Sequence, residues 1–410
     1  MKKFICTALL ICSTYIVHSE QRYSTGDGTY IIPDRNLALG DDKVTHDIIV
    51  FKPNAPAFGA LDTCETPASM ACIYGLTTLV PGCPIHGTTI NPTGGWGAIA
   101  VIESFHAPDA EHDLHRFSEH FDLPECSISN GCFTLVYASG TRPPDNPSSI
   151  DEHALDIEWA HAMAPQAKII MVEADDDSLA AHIQAIDVAN QLVSDAGGGL
   201  ISISWSIPEF LGENAYDHYF QEPGIVYIAS SGDYSAPARY PSSSPYVVSA
   251  GGTSILRDVQ GNFIGEAAWS SNPNAPIGAK SGGSGGPSLY EPRPSYQNSV
   301  MKIVGSARGT PDIAFNSDPA TGVCVYSTAH GGWLKDGGTS VAAPALAGII
   351  NSANHRARSS YDELSYIYNN ALKNYHSYWH DILDGNNGFP ALTGYDFTTG
   401  LGSPSGYGGK

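Results

Sequence analysis

Positive charge is scarce in this sequence. Against 42 Asp and Glu it sets 20 Lys and Arg, a formal net charge of -22, which argues against a nucleic acid or an anionic membrane surface as partner. The same imbalance means that mild acid discharges much self-repulsion. No C-x-x-C pair occurs, which removes the metal and dithiol-redox readings of that spacing. No Asn stands in an N-x-S/T acceptor site, since Asn91 and Asn146 both precede proline, so N-glycosylation is not expected. Internal repeats are absent, and after the first residues no apolar run competes for a membrane span.

What is present is a globular composition of 410 residues, 42% hydrophobic, with 43 Gly and 28 Pro. That length suits one large domain with appendages, or two domains. Residues 1–19 read as a secretory signal: Lys2 and Lys3, an apolar run from Phe4 to Val17, then small residues at Val17 and Ser19 before a cut. The mature protein is therefore expected to be exported, to the periplasm or the extracellular space. Six of the eight cysteines remain after Cys6 and Cys12 leave with the signal, an even set that suits an oxidising compartment. Cys72 with Cys83 and Cys126 with Cys132 are close enough in sequence to staple local loops, which leaves Cys64 for Cys324; this is one of fifteen connectivities.

Residues 20–95 are polar, interrupted by Gly and Pro, and hold no long periodic element, so they read as an irregular N-terminal extension. From Gly97 the pattern alternates. "GAIAVIES", "CFTLVYAS", "AKIIMVEA", "GLISISWS" and "GIVYIASS" read as strands, and the segments 109–121, 149–163, 177–193 and 214–221 between them as helices. Such alternation predicts an α/β fold with a doubly wound, mainly parallel sheet flanked by helices. The Gly/Pro-rich stretch Ser270–Gln297 reads as a long surface loop within one domain, because strand-like "PDIAFNS" and "GVCVYST" follow it.

Three places carry chemistry. In "DGGTSVAAPALAGIIN" (Asp336–Asn351), Gly337 and Gly338 permit a tight turn and the close approach of another chain, and Ser340 stands where a helix starts. It is either a helix cap or a nucleophile. In "SSIDEHALDIEWAHAM", Ser149 can cap a helix on which Glu152 and Asp156, four residues apart, share a face with no basic residue to offset them. A solvated acidic face is one reading. The other is a pair of carboxyls sharing one proton, able to accept a serine's proton in acid, where a histidine would be protonated. Asp233 follows Gly232 at the carboxyl end of a predicted strand, where open α/β sheets place their sites. It is either a turn residue or, when protonated, a hydrogen-bond donor to an oxyanion.

"GGTSVAAP", "EHALD" and "SSGD", with "SPYVVSAGGTS", "SGGSGGPSLYEPRPSYQ" and the tail "WHDILDGNNGFPALTGYDFTTGLGSP", together resemble the sedolisins, serine-carboxyl peptidases with a subtilisin-like fold. The resemblance spans about Gly97 to Pro404. It implies a peptidase domain over 96–410, with Ser340 as nucleophile, Glu152 as general base, Asp156 as its orienting partner, and Asp233 with the Ser340 amide as oxyanion donors. Protein or peptide substrates and an acidic working environment follow from it. It also implies one structural calcium ion in the tail, held by the carboxylates of Asp381 and Asp396 and the backbone oxygens of Ile382, Leu392 and Gly394, a hard-oxygen set. Sedolisins usually carry a large prosegment. Here about seventy residues separate the signal from the catalytic region, so residues 20–95 read as a retained, disulfide-bonded extension.

Rival readings each lack a part. An Asp-His-Ser peptidase needs a D-[ST]-G strand end, and none precedes His86, its one candidate histidine. His153 lies off the Glu152/Asp156 face. His112, His115 and His120 alternate with charged residues, as a solvated helix face does. A catalytically dead binding protein of the same fold, or a secreted calcium-binding surface protein, is disfavoured by the presence of all four catalytic side chains. Endopeptidase action and release of N-terminal tripeptides both remain open.

Overall fold

The computed structural model describes residues 21–24, 28–32, 42–53, 61, 63–87, 90–146, 149–270 and 282–410, with the strands at 21–24, 28–32 and 51–53 taken as backbone alone. The signal segment lies outside the described residues, as does 271–281 of the Gly/Pro-rich stretch.

The N-terminal region is built of strands β1 (Gln21–Ser24), β2 (Gly28–Ile32), β3 (Thr45–His46) and β4 (Ile49–Pro53), then helix α1 (Pro67–Ile73). The alternating part follows as β5 (Ala98–Ser104), α2 (Ala110–His120), β6 (Phe133–Tyr137), α3 (Ile150–Met163), β7 (Lys168–Ala174), α4 (Leu179–Asp195), β8 (Gly199–Ile203), β9 (Trp205–Pro208), a 3-10 helix at Glu213–Phe220, and β10 (Ile225–Ser230). Beyond it lie β11 (Arg239–Tyr240), β12 (Val248–Arg257), β13 (Phe263–Ala268), β14 (Gly286–Pro292), α5 (Met301–Val304), β15 (Ala307–Thr310) and β16 (Ile313–Asn316). The chain closes with β17 (Val323–Ser327), β18 (Gly332–Gly337), α6 (Thr339–Ser352) and α7 (Ser360–Tyr378).

The central sheet runs β6-β7-β5-β8-β10-β12, all parallel, with β16 parallel and β13 antiparallel along β12. Its inner strands β5, β7, β8 and β10 are buried on both faces, which explains their continuous apolar runs. One face carries α3 and α6 and the other α4, giving two separate apolar cores. All fourteen residues of α3 are buried, so Glu152 and Asp156 do not lie on a solvated face. Helices α3 and α6 cross closely: a Cβ on Gly348 would fall 2.5 Å from the Met163 Cβ. The segments read as helices and strands hold to within a few residues, with two differences. "GLISISWS" divides at Ser204 into β8 and β9, and 213–220 winds as a 3-10 helix.

The described residues of the stretch 20–95, which was expected to be irregular, are woven into the body instead. Strand β4 pairs antiparallel with β18, and β3 with β9. Helix α1 is wholly buried and capped reciprocally by Thr66 and Ser69. Their sequence gave no periodic signal because each strand is only two to five residues long and pairs with distant chain. The disulfides are Cys64–Cys324, Cys72–Cys83 and Cys126–Cys132, the pairing expected from spacing. Within the long stretch Ser270–Gln297, residues 286–292 form strand β14, paired with β15.

Candidate functional site

The carboxyl ends of β5, β8 and β10 and the start of α6 converge on one place, the edge at which open parallel sheets collect their sites. Ser340 is the second residue of α6. The N-cap is Gly338, so Ser340 does not cap the helix as one reading had it. Its side chain is fully buried, and Oγ donates to the backbone carbonyl of Ser204 at 3.1 Å. Gly338 sits at φ 106°, in the region glycine tolerates. A Cβ there would fall 2.0 Å from the backbone oxygen of Asp47 and 2.8 Å from Asp233 Oδ2, so glycine is required for close approach of another chain segment.

Helix α3 brings its acids to the same end of the sheet. The Ser149 hydroxyl donates to the Asn146 carbonyl and makes no side-chain cap. Glu152 and Asp156 are both buried. Asp156 Oδ1 accepts from the Ser204 hydroxyl at 2.8 Å, and its carboxyl also bonds that of Glu103, at the end of β5. Burial pushes Asp156 up to about 7, with the Ser204 and Glu103 bonds pulling against it. Two buried carboxyls in contact hold a proton between them. Glu103 was missed from the sequence, although an acid inside a wholly buried strand is itself a signal. His153 is engaged within its own surroundings: Nδ1 meets the Ser149 carbonyl at 2.5 Å and lies 3.7 Å from Glu103 Oε2.

Asp233 follows β10. Its Oδ1 accepts from both the amide and the hydroxyl of Thr339, each at 2.8 Å, while Oδ2 is buried without a hydrogen-bond partner among the described residues. Burial, and next the neighbouring charge of Asp47, hold its carboxyl well above the usual range, against the Thr339 bonds and Arg239. Asp47 is raised as well, by burial, opposed by the Arg239 charge, the Ser230 and Ser206 hydroxyls and the Asp233 amide. The pair therefore favours a protonated Asp233. Beside it, the Ser340 amide donates to the Asp47 backbone carbonyl at 3.0 Å, and that oxygen and Asp233 Oδ2 both lie against Gly338. Asp47 and Arg239 were not anticipated. Each stands alone in sequence, outside any motif.

In the tail, Asp381 Oδ1 accepts from the Gly394 amide and the Tyr375 hydroxyl, each at 2.9 Å. Asp396 accepts the Leu392, Thr398 and Thr399 amides at 2.8 Å. Both carboxylates thus clasp the loop 392–396. Among the described residues no hydrogen bond is made to the carbonyls of Ile382, Leu392 or Gly394, leaving open oxygen acceptors near two carboxylates. That donor set fits a hard divalent cation. His112, His115 and His120 form no metal-holding group among the described residues. Cys126, Cys132 and His161 do cluster, but both sulfurs are spent in a disulfide.

The fold matches that of Pseudomonas sedolisin, a serine-carboxyl proteinase complexed with two molecules of pseudo-iodotyrostatin, at a TM-score of 0.68 and 24% identity over 84% of this chain and 96% of that one. It is a subtilisin-like fold. In sequence, the subtilase family profile matches residues 144–376. Kumamolisin of Bacillus sp. (strain MN-32) is 32% identical over 75% of this chain and 58% of its own length. Sedolisin of Pseudomonas sp. (strain 101) is 30% identical over 56% and 43%. The chain spans about half the length of these relatives. It belongs to the subtilase family of serine peptidases and, within it, to the sedolisin family.

Proposed function

We propose that this protein is an exported peptidase that works in acid, attacking peptide carbonyls with Ser340. The observation that carries the proposal is the hydrogen bond from the Ser340 amide to a peptide oxygen, that of Asp47, which lies with Asp233 Oδ2 against Gly338. Ser340 Oγ attacks the carbonyl carbon and passes its proton to Glu152. Asp156, tied to Ser204 and Glu103, orients Glu152 and shares the proton load. The oxyanion is met by the Ser340 amide and by Asp233 in its protonated form, which acid and burial favour. Glu152 returns the proton to the leaving amine, and water hydrolyses the acyl-enzyme by the reverse sequence. We read the action as that of an endopeptidase, with tripeptidyl-peptidase action, which would use the same acyl-enzyme chemistry, as the alternative.

A calcium ion held by Asp381, Asp396 and the carbonyls of Ile382, Leu392 and Gly394 would pin the 392–396 loop and supply structural stability, not chemistry. Three disulfides and the acidic surface are consistent with life outside the cytoplasm. The test is peptide hydrolysis across pH 3 to 8 by the wild type and by Ser340→Ala, each with and without chelator. An acid optimum absent from Ser340→Ala supports the proposal; equal activity in both forms, or an optimum at neutral pH untouched by Asp233→Asn, rejects it.

A further inference from the structure

A strand of the protein's own chain crosses the site as a substrate would. The Asp47 amide donates to the Ser204 carbonyl at 3.3 Å, and the Asp47 carbonyl accepts the Ser340 amide at 3.0 Å. Before it, Thr45 and His46 pair antiparallel with Ser206 and Trp205. After it, Ile49 and Val50 pair antiparallel with Gly337 and Asp336. A peptide fixed by sheet pairing on both sides of one carbonyl, with that carbonyl on the nucleophile's own amide, is oriented for acyl transfer.

The Asp47 side chain identifies what the pocket on the acyl side accepts. Its Oδ1 accepts from Ser206 Oγ at 3.1 Å and its Oδ2 from Ser230 Oγ at 2.8 Å. The Asp233 amide donates to the same carboxylate, and the Arg239 charge acts on it. Arg239 is itself held in place: Nε donates to Ser206 Oγ at 2.8 Å, Nη2 to Thr45 Oγ1 at 3.1 Å, and the guanidinium lies 4.5 Å from the centre of the Tyr234 ring. Donors and a cation thus surround the fully buried carboxylate. An apolar side chain there would strand two hydroxyls and leave the buried Arg239 charge uncompensated, and a basic one would be repelled by that charge.

We propose that this site selects aspartate on the acyl side of the scissile bond, with Arg239 as the specificity-determining residue, and that its first substrate is its own Asp47–Ile48 bond. The inference rests on the peptidase reading above. In the step, a bond forms between Ser340 Oγ and the Asp47 carbonyl carbon, the bond from that carbon to the Ile48 nitrogen breaks, and the serine proton reaches that nitrogen through Glu152. Water then cleaves the ester, leaving the Asp47 α-carboxylate and restoring the Ser340 hydroxyl. Residues from 48 onward stay joined to the body through Cys64–Cys324, whereas residues 20–47 contain no cysteine to retain them.

The experiment has two arms on the full chain at pH 4 to 6. The first sequences new N-termini in wild type and Ser340→Ala after acidification. The second compares internally quenched peptides Val-Thr-His-Xaa-Ile-Ile-Val, with Asp, Asn, Leu or Lys as Xaa, and denatured casein as a general substrate. The expected results are an N-terminus at Ile48 in wild type alone, and kcat/KM for Asp about a hundredfold or more above Leu and Lys. Arg239→Leu should bring that preference below about tenfold while the Leu peptide is still cut. If Arg239→Leu does not fold, the wild-type panel decides by itself. Casein and Leu-peptide cleavage with no preference for Asp and no Ile48 terminus overturns this inference and leaves the peptidase reading standing. No hydrolysis of casein or of any peptide overturns both.

Discussion

Ser204 touches Asp156 and Ser340 at once: its hydroxyl donates to Asp156 Oδ1 at 2.8 Å, and its carbonyl accepts the Ser340 hydroxyl at 3.1 Å. Replacing it with alanine keeps the carbonyl and removes the donor that steadies the charged form of Asp156. The Asp156 carboxyl should then rise above its value of about 7. The expected outcome is a kcat lower by about tenfold with KM little changed, and an alkaline limb of the pH profile moved to higher pH. A pH–rate profile of Ser204→Ala checks both.

Asp233 offers a cleaner separation of charge from hydrogen bonding. With Asp233 in the proposed oxyanion role, Asp233→Ala should lower kcat by roughly 10²–10³. Asp233→Asn keeps a donor that needs no proton, so it should lose less, and its remaining activity should persist to higher pH than that of the wild type. Steady-state kinetics of the two variants from pH 3 to 8 provide the comparison.

Stability should peak in mild acid. Burial raises Asp217 from 3.8 to about 6 and Glu291 from 4.5 to about 7, the latter pushed further by the neighbouring charges of Asp217 and Glu209. A carboxyl raised in the folded state stabilises fully below its unfolded value and ceases to do so as pH climbs through its folded one. His161 has the opposite sign. It is lowered to about 4 by burial, so its contribution is whole above 6.5 and is lost as pH falls through about 4. Thermal melts should therefore show Tm highest between about 4 and 6, and Glu291→Gln should flatten the decline toward neutral pH.

The buried pair of Arg308 and Asp312 should be costly to break. Nη1 meets Oδ1 at 2.7 Å and Nη2 meets Oδ2 at 2.5 Å, with the Tyr368 hydroxyl and Ser249 amide completing the carboxylate. Asp312→Ala leaves a fully buried guanidinium without its counter-charge. A loss of about 3–5 kcal/mol in unfolding free energy is expected, read by denaturant titration.

Calcium at the tail should act on lifetime. Chelation should lower Tm and shorten the active life of the wild type, and Asp396→Asn should reproduce that effect and abolish the response to added calcium. Tm measured with and without calcium for both forms is the check.

The central α/β body was legible because each strand is an unbroken apolar run and each helix a contiguous segment between runs, as "AIAVIES" and "IVYIAS" illustrate. Asp233 and Ser340 stood out for a related reason, since each lies beside the end of such an element, whereas Glu152 and Asp156 stood out as an acid pair four residues apart within one helix that has no basic residue to offset it. The N-terminal strands were not. Thr45–His46 has no periodicity to read, and its pairing partner at 205–206 is visible only in three dimensions. Asp47 and Arg239 gain meaning solely from the pocket they share, and the division of one apparent strand at Ser204 depends on the hydroxyl and carbonyl contacts made there.

The Cys64–Cys324 bond encloses most of the alternating sheet, joining positions 260 residues apart. A foreign protease that nicks an exposed turn inside that span, such as the one carrying Val259 at 96% exposure, cuts the chain without separating its halves. The molecule would run as one species on a gel until reductant is added, and its two fragments would keep each other's company at the concentration of a tether, not of the surrounding fluid.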